Sequence, residues 1–562
     1  MSRLYISATH KSSGKTTLTI GLCRELSNRG QRVRPFKKGP DYIDPLWLGQ
    51  AAGRPCLNLD YNTMEPAEIL ATFARGMAGA DLGLIEGNVG LFDATDLHGS
   101  NSNAELAKLL RAPVLLLVDV QGMSRGLAPL LLGYLAFDPD LTIAGLILNK
   151  VGGSRHETNL RRVVEHYTDL PLLGAIHRES RPRIEERHLG LMPSTESREA
   201  EEQIEDIRRL VANQVDLDRL MAITAASPPL PMAQLSADSV PLSLTSVLAD
   251  SAVTPRAPVP AIHASPSVVS GRVAPPTPSV ALAQAGPPTP PLAPAMRPVP
   301  IASCLELAVP GVSGKPGGAE APGAPGVTAE RVRIGIARDE AFGFYYHDDL
   351  EALEAAGAVL IPFSPVHDAG LPPVEGLFIG GGFPEYRMHA LAANAAMRAS
   401  VKAFIEAGGP VYAECGGLMY LCRGLRWKED YVPLCGVLNA DVAMHERPQG
   451  RGYIRLRELA TFPWPRSPGQ TKEISAHEFH HSAIVAPDPD WVYGYEVLRG
   501  SGVDGHHDGI LYKNLVASYA HLRHVGGVDW PARFIAQVRR CRLREALPGG
   551  VSAPGRSSPG DG

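Results

Sequence analysis

A cysteine at a strand-turn-helix junction is the clearest candidate for chemistry in this sequence. Residues 410–420 read Pro-Val-Tyr-Ala-Glu-Cys-Gly-Gly-Leu-Met-Tyr, which is typical of a strand, a tight turn and a helix. Small residues at 413 and 417 permit a strained turn that exposes a nucleophile, and a helix amino terminus favours the thiolate. A lone cysteine is more often an inert core residue, but this junction favours the nucleophile. We therefore predict that Cys415 is catalytic.

Two other motifs in the same part of the chain can assist a thiol nucleophile. Three glycines follow an apolar strand, and the backbone N–H groups of Gly381 and Gly382 are the predicted oxyanion hole for a tetrahedral intermediate. The same glycines can also form an ordinary turn. His521 comes directly after an apolar strand and is the predicted base that activates Cys415, with His524 as the alternative base.

Near the amino terminus, a phosphate-binding loop stands between a predicted strand and a predicted helix. Residues 12–17 read Ser-Ser-Gly-Lys-Thr-Thr, and Thr9 occupies the place where such loops usually begin with glycine. Backbone N–H groups of this loop point at phosphate oxygens, Lys15 reaches the outer phosphates and Thr16 offers a hydroxyl to Mg²⁺. The predicted ATP-binding residues are Ser13, Gly14, Lys15, Thr16, Thr17, Lys37 and Lys38.

Two strand ends bring carboxylates and lysines towards this loop. Glu86 ends an apolar run and is followed by glycines, which is where a Mg²⁺ ligand would face the phosphates. Lys37 and Lys38 precede two aspartates at 41 and 44, so that cations can neutralise a transferring phosphoryl group while a carboxylate holds a metal. A solvated charged turn is the alternative for the two lysines. The predicted metal ligands are Thr16, Asp41 and Glu86.

These motifs have to be positioned by two α/β units, each a doubly wound and mainly parallel sheet. Short apolar runs alternate with helical patterns from residue 4 to about 225, and a second alternation begins at 331. The predicted strands are Leu4–Ser7, Arg32–Phe36, Leu82–Glu86, Val114–Asp119, Ile143–Asn149, Val332–Ile336, Gly376–Ile379 and Pro410–Ala413, with a helix over Asp349–Ala356. The predicted domains are residues 1–225 and 331–545.

The segment between the two domains differs in composition from both. Residues 226–330 are rich in Pro, Ala, Ser, Val and Gly and carry few charges. Proline removes a backbone donor, so neither helix nor sheet can propagate through such a segment. We predict a disordered linker over 226–330 and a disordered tail over 546–562.

Composition places the chain among globular proteins and excludes several partners. Hydrophobic residues make up 44% and charged residues 20%, with a net charge of −5, so neither nucleic acid nor an anionic membrane is a predicted partner. The seven cysteines form no close metal-type pair, and their odd number argues against a disulfide framework. The first residues turn polar too early for a signal peptide. We predict a cytoplasmic protein with reduced thiols.

Taken in order, the motifs resemble the cobyrinic acid a,c-diamide synthase family. That family joins a dethiobiotin-synthetase-like ATP domain of the P-loop NTPase type to a class I glutamine amidotransferase domain. The matching stretches are PFKKGPDYIDP (35–45), EGNVGLFD (86–93), ERHLGL (186–191), GGGFPE (380–385), AECGGLMYL (413–421), AHEFHHS (476–482) and ASYAHL (517–522). Each is weak alone, but their order is specific.

The resemblance implies a ligase that uses ATP, Mg²⁺ and glutamine and no tightly bound organic cofactor. Cys415 would attack glutamine with His521 as base, and the released ammonia would travel to the other domain. There a carboxylate of a tetrapyrrole polycarboxylate, phosphorylated by ATP, would become an amide. The implied acceptors are the a and c carboxylates of cobyrinic or hydrogenobyrinic acid in cobalamin biosynthesis, and a homodimer is left open.

The sequence departs from the family pattern at several positions. Class I amidotransferases usually carry a glutamate two residues after the histidine, where this chain has Arg523, so the group that orients His521 is unidentified. Ser475-Ala476 stands where the family usually has Arg-Gly, and the linker is longer than is typical of the family.

Other functions are left open by the sequence. The phosphate loop is similar to that of relatives thought to amidate sirohaem in sulfur metabolism. A regulatory P-loop ATPase with an inactive amidotransferase-like binding domain, or a hydrolase that uses Cys415 alone, would be of a different class. A metal site at His477, Glu478, His480 and His481 is the alternative to a substrate-side or structural role for these residues.

Overall fold

A computed structural model gives the arrangement of the chain in two α/β halves. It describes residues 1–178, 186–187, 190–194, 199–231, 331–466 and 473–546. We refer to residues 1–231 as the first half and to 331–546 as the second half, and the two halves pack into one compact unit. Most of the predicted linker and the predicted tail, and part of the ERHLGL stretch, lie outside the described residues.

The first half is built around a seven-stranded parallel sheet. Apolar residues fill successive positions of its central strands, as expected for strands covered on both faces. The strand order is β3-β2-β4-β1-β5-β6-β7, and a small two-stranded β8-β9 sheet lies apart from it. The strands are β1 Ser2–Ala8, β2 Val33–Lys38, β3 Leu57–Leu59, β4 Leu82–Glu86, β5 Val114–Asp119, β6 Ile143–Val151, β7 Leu172–His177, β8 Glu186–Arg187 and β9 Gly190–Leu191.

Eight helices cover the two faces of the first sheet. They are α1 Lys15–Asn28, α2 Ile43–Ala52, α3 Pro66–Gly76, α4 Asn103–Leu109, α5 Leu127–Phe137, α6 Ser154–Tyr167, α7 Ala200–Gln214 and α8 Leu217–Ala225. Helices α1 and α7 approach closely because Gly21 faces Val211, whose Cγ2 would lie 2.4 Å from a Cβ at position 21. Helix α1, which follows the phosphate loop, is therefore packed tightly against α7.

The second half contains a nine-stranded sheet that is parallel on one side and antiparallel on the other. Its order is β12-β10-β13-β15-β24-β23-β22-β19-β20, with parallel pairing as far as β24 and antiparallel pairing beyond it. A four-stranded sheet β17-β16-β18-β21 and a two-stranded β11-β14 sheet complete the β structure of the described residues.

The elements of the second half follow one another in chain order. The strands are β10 Val332–Ala337, β11 Phe342–Phe344, β12 Ala358–Phe363, β13 Gly376–Ile379, β14 Gly381–Gly382, β15 Val411–Glu414, β16 Cys422–Trp427, β17 Asp430–Pro433, β18 Leu438–Met444, β19 Gly450–Glu458, β20 Glu473–His480, β21 Ser482–Val485, β22 Val492–Arg499, β23 His507–Tyr512 and β24 Leu515–Ser518. The helices are α9 His347–Ala355, α10 Met388–Ala393, α11 Ala395–Glu406, α12 Gly416–Leu421 and α13 Trp530–Ala546, with a 3-10 turn at Pro384–Arg387.

The predicted fold class is confirmed, since both halves are α/β units with parallel central strands. Each of the eight predicted strands has a counterpart whose ends agree within a few residues, and the helix predicted over 349–356 is α9. In the parts of the chain that the structure describes, no helix is long and apolar enough to cross a bilayer.

Substitution of Gly174 by alanine is expected to destabilise the first half. A Cβ at this position of β7 would lie 2.5 Å from the backbone oxygen of Gln214, so the strand or helix α7 would have to move. We expect the free energy of unfolding to fall by about 1–3 kcal/mol, measured by urea denaturation. The control is Gly133→Ala in α5, where no described atom lies within 4 Å of the added Cβ. It should be neutral or stabilise by up to about 1 kcal/mol, and equal effects of the two changes would contradict the packing argument.

Candidate active sites

Cys415 lies at the sharp turn between β15 and α12. Its backbone φ is 45°, in the left-handed region that costs a residue with a side chain about 1–3 kcal/mol. The turn is held by the N–H of Cys415, which donates to the carbonyl of Ser518 at 2.7 Å. A Cβ at Gly417 would lie 2.1 Å from the carbonyl oxygen of Ile379, so only glycine fits there. The strained turn that the small residue at 417 predicted is present, and the role of Cys415 as nucleophile stays a prediction.

The structure brings His521 next to Cys415 because β15 and β24 are parallel neighbours. The imidazole is buried, with Nδ1 3.3 Å from Oε2 of Glu414, and it also makes a hydrogen bond with the Cys415 thiol. Burial alone would lower the pKa of His521, but these contacts with Cys415 and Glu414 raise it to about 10. The imidazole is therefore held in its protonated form beside the sulfur at neutral pH.

Glu414 is the orienting group that the sequence left unidentified. Its Oε1 accepts a hydrogen bond from the Tyr412 hydroxyl at 2.6 Å and one from the Leu522 N–H at 3.0 Å, which leaves Oε2 for His521. The only sequence signal is that this glutamate directly precedes Cys415. His524, the alternative base, is directed elsewhere, with its Nδ1 3.4 Å from Asp529.

The glycine loop predicted as the oxyanion hole lies against both Cys415 and His521. A Cβ at Gly381 would be 2.6 Å from Cε1 of His521, and one at Gly416 would be 3.0 Å from the backbone nitrogen of Gly382. The N–H of Gly380 donates to the Tyr345 hydroxyl at 3.0 Å, which anchors the start of the loop. The loop thus lies next to Gly416 and His521, and its role as an oxyanion hole stays a prediction.

The phosphate loop joins β1 to α1 in the first half. Its backbone enters the left-handed region at Ser12 and Gly14, with φ of 61° and 94°. Asn149, at the end of β6, donates to the carbonyl of Ser13 at 2.6 Å, a support that sequence motifs did not indicate. Lys15 is buried, and this burial lowers its pKa to about 8. Phosphate oxygens would supply the negative charge that a buried ammonium requires.

Thr16, Glu86 and Asp44 meet at the carboxyl edge of the first sheet. The Thr16 hydroxyl lies 2.9 Å from Oε1 of Glu86 and 3.2 Å from Oδ2 of Asp44. Lys37 donates to Glu86 at 2.6 Å and also to Asp44, and these carboxylates hold the pKa of Lys37 above its usual value although burial alone would lower it. The structure thus brings together Thr16, Glu86 and Lys37, as the sequence predicted, and adds Asp44.

Asp41, which the sequence predicted as a metal ligand, lies at the margin of this cluster. Its Oδ1 accepts hydrogen bonds from the N–H groups of Ile43 and Asp44 at the start of α2, and its Oδ2 is 3.7 Å from Lys37. Burial, reinforced by the charge of Asp44, raises the pKa of Asp41 to about 7. Lys38 is also buried, which lowers its pKa to about 8.

The cluster fits Mg²⁺ better than a metal that needs an all-protein cage. Oε2 of Glu86 is buried and has no hydrogen-bond partner among the described residues, so it is available to a cation. In the same residues no group of three or more His, Cys, Asp or Glu side chains is arranged for a metal. Mg²⁺ commonly uses one or two carboxylates and completes its shell with water and phosphate oxygens.

The histidine-rich stretch 477–481 makes contacts within the second half. His477 is partly exposed, and desolvation of its ring together with the nearby His521 lowers its pKa to about 3. Glu478 accepts the N–H groups of Ser501 and Gly502 at 2.7 and 2.9 Å. The ring of His480 is stacked on Tyr519 with centroids 3.8 Å apart. These contacts favour the structural alternative for this stretch.

Tyr42 connects the two sites. It belongs to the first half and stands in the chain between Asp41 and Asp44, yet its ring centroid is 4.8 Å from that of His521. Tyr42 therefore links the segment that carries the carboxylates of the first half to the predicted base of the second half.

Each half of the chain matches a known domain family, and nearly the whole chain is similar to known proteins. Residues 4–191 match the family described as CobQ/CobB/MinD/ParA nucleotide binding domain, and residues 333–526 match CobB/CobQ-like glutamine amidotransferase domains. A cobyrinate a,c-diamide synthase of Magnetococcus marinus is 41% identical over 96% of this chain and 97% of its own length. One of Methanosarcina acetivorans is 34% identical over 97% of each chain.

Replacement of Glu414 by glutamine is expected to weaken glutamine hydrolysis and to shift its pH dependence. Glu414 raises the pKa of His521, so the imidazolium should lose its proton at lower pH in the variant. We expect kcat/KM for glutamine hydrolysis, measured by glutamate release, to fall at least about tenfold at neutral pH. The decline of kcat/KM on the alkaline side should begin at lower pH than in the parent enzyme. Glu406→Gln, which breaks an exposed pair with Lys513, is the control. An unchanged alkaline limb in Glu414→Gln would contradict this role.

Proposed function

The chain belongs to the cobyrinate a,c-diamide synthase family, and we propose that it uses ATP and glutamine to amidate the a and c carboxylates of cobyrinic or hydrogenobyrinic acid in cobalamin biosynthesis. The observation that carries the proposal is a full-length likeness to these synthases in a chain whose thiol, imidazole and carboxylate converge at Cys415. The enzyme is accordingly a glutamine-hydrolysing carbon–nitrogen ligase with one reaction in each half.

In the second half, we propose that Cys415 removes ammonia from glutamine. The thiolate attacks the carboxamide carbon, and the carbonyl electron pair moves onto oxygen, beside Gly381 and Gly382. His521 gives its proton to the nitrogen as the carbon–nitrogen bond breaks, so that ammonia leaves and a thioester remains. Water, deprotonated by His521, then attacks the thioester and releases glutamate and the Cys415 thiolate.

In the first half, the acceptor carboxylate is activated by phosphorylation. A carboxylate oxygen attacks the terminal phosphorus of ATP, ADP departs and an acyl phosphate forms. Ammonia then attacks the acyl carbon, phosphate leaves and the nitrogen loses a proton, giving the amide. Lys15, Lys37 and Lys38 would offset the charge of the phosphoryl oxygens. Mg²⁺, held by Thr16, Glu86 and Asp44, would neutralise further phosphate charge.

Two other function classes left open by the sequence receive less support. A regulatory ATPase with an inactive binding domain would not require Cys415 in a strained turn beside a buried, protonated His521. A hydrolase that uses Cys415 alone would not require the buried cluster of Lys37, Asp44 and Glu86 next to Tyr42.

Reciprocal variants should separate the two reactions. Cys415→Ala should lose glutamine hydrolysis and glutamine-driven amidation but retain amidation driven by ammonium, because the first half keeps its residues. Lys15→Ala should lose amidation with either nitrogen source, by at least about a hundredfold, while some glutamine hydrolysis persists. Both are measured as glutamate release and amide formation.

Each variant serves as the control for the other in this experiment. Glutamate release by Cys415→Ala at the parental rate would contradict the assignment of the nucleophile. Amidation by Lys15→Ala at the parental rate would contradict the assignment of the nucleotide site.

The acceptor can be identified by mass spectrometry after incubation with ATP, Mg²⁺, glutamine and one tetrapyrrole. Each amidation exchanges a hydroxyl for an amino group and lowers the mass by one unit. We expect a drop of two units with cobyrinic or hydrogenobyrinic acid. A fall in mass with sirohaem but not with cobyrinic or hydrogenobyrinic acid would contradict the proposed acceptor. It would favour sirohaem, the acceptor that the likeness of the phosphate loop suggested.

A further inference from the structure

Arg523 occupies the position where related triads carry their acid, and its side chain points to the other half of the molecule. It is only 2% exposed. Its Nη2 donates to Oδ2 of Asp348 at 2.8 Å and to the carbonyl of Asn58 at 3.2 Å, and its Nη1 is 3.4 Å from the hydroxyl of Thr63. Asp348 belongs to the second half, whereas Asn58 and Thr63 belong to the first.

Part of the hydrogen bonding of this guanidinium is formed only when the two halves are packed together. A buried charge is stable only when an opposite charge lies beside it and its remaining donors make hydrogen bonds. Removal of either leaves the cost of burying the charge uncompensated. Asp348 supplies the charge from within the second half. Asn58 and Thr63 supply hydrogen-bond acceptors from the first half, so Arg523 connects the two halves through buried hydrogen bonds.

The short segment from His521 to Gly526 is anchored at both of its ends. At one end, His521 exchanges backbone hydrogen bonds with His477, and the N–H of Leu522 donates to Glu414. At the other end, the N–H of Gly526 donates to Glu68 of the first half at 3.0 Å. Arg523 lies between the two anchors, next to His524, whose N–H donates to Asp349 of the second half at 2.6 Å, so its contacts with the first half add a further attachment to the segment that carries His521.

Aromatic contacts provide a second link between Arg523 and the catalytic histidine. The guanidinium carbon lies 4.6 Å from the ring centroid of Tyr346. Tyr346 packs on Tyr42 of the first half, with centroids 4.4 Å apart, and Tyr42 in turn packs on His521. The imidazole is thus bordered by a group from each half, and Arg523 holds the ring on which Tyr42 rests.

We propose that Arg523 is a positioning residue that ties His521 to the first half, so that glutamine hydrolysis stays matched to amide formation. The proposal rests on the function proposed above. Arg523 makes its contacts away from Cys415, so it acts through the placement of His521 and Tyr42. Its loss should change the turnover of glutamine and the delivery of ammonia more than the binding of glutamine.

The test is Arg523→Gln in the full-length enzyme, with amide and glutamate measured in the same reaction. We expect kcat for glutamine-driven amidation to fall at least about tenfold, with KM for glutamine changed less than about threefold. The yield of amide per glutamate released should fall at least about fivefold, while amidation driven by ammonium stays within about threefold of the parent. Arg523→Lys, which keeps the charge, should recover part of the yield.

Arg533 offers a closely matched control. It is 3% exposed, pairs with Glu458 at 2.7 Å, donates to the carbonyl of Pro465 and lies over the ring of Phe462. All of these partners are in the second half. Arg533→Gln therefore removes a similarly buried guanidinium without touching the contact between the halves, and the amide yield per glutamate should remain parental.

The outcomes distinguish this proposal from the function on which it rests. If the parent enzyme forms no amide from any tetrapyrrole tested, the proposed function fails. If the parent forms amide but Arg523→Gln keeps the parental yield, or changes it no more than Arg533→Gln does, the role of Arg523 is overturned. If Arg523→Gln does not fold, Thr63→Val removes one contact of Arg523 with the first half. This variant should also lower the yield of amide per glutamate released, and an unchanged yield would overturn the proposed role of Arg523.

Discussion

The parallel pairing of β15 with β24 is the interaction on which the rest of the second half depends. Register in this pair sets Glu414 opposite Ser518, so that Cys415 and His521 emerge from adjacent strand ends. A shift of one residue would turn the side chains of β15 to the opposite face and separate the thiol from the imidazole. The hydrogen bond from the N–H of Cys415 to the carbonyl of Ser518 requires this register. The close approach of Gly417 to Ile379 depends in the same way on the pairing of β15 with β13 on its other side.

Local patterns in the sequence identified central parallel strands of both halves, but they did not predict the antiparallel strands of the second half. Apolar runs identify the buried parallel strands, and the turn residues around Cys415 and Lys15 mark the junctions where those strands end. The orienting role of Glu414 was not predictable, because the residue it serves lies over a hundred positions later and meets it only through the strand order. The contact of Asp44 with Thr16 was equally hidden in the sequence, because it depends on Asp41 accepting the N–H groups at the start of helix α2.

The position of Arg523 shows how one substitution in a motif can be read in two ways. As a departure from the usual triad it indicates only that an acid is missing after the histidine. In the folded chain Glu414, one residue before Cys415, supplies the carboxylate beside His521. Arg523, at the position where the usual acid would stand, instead makes hydrogen bonds with Asn58 and Thr63. Glu414 at the end of β15 thus orients the imidazole, while Arg523 in the loop after β24 makes the contact between the halves.

The contact of Tyr42 with His521 bears on the chemical state in which nitrogen reaches the acceptor. Ammonia is a nucleophile only as the free base, and in bulk water at neutral pH nearly all of it becomes ammonium. If ammonia crosses between the sites beside Tyr42, whose ring centroid lies 4.8 Å from that of His521, it has little opportunity to meet solvent protons before it encounters the acyl phosphate. The geometry therefore favours use of glutamine nitrogen in cells where dissolved ammonium is scarce and the surrounding medium is not alkaline.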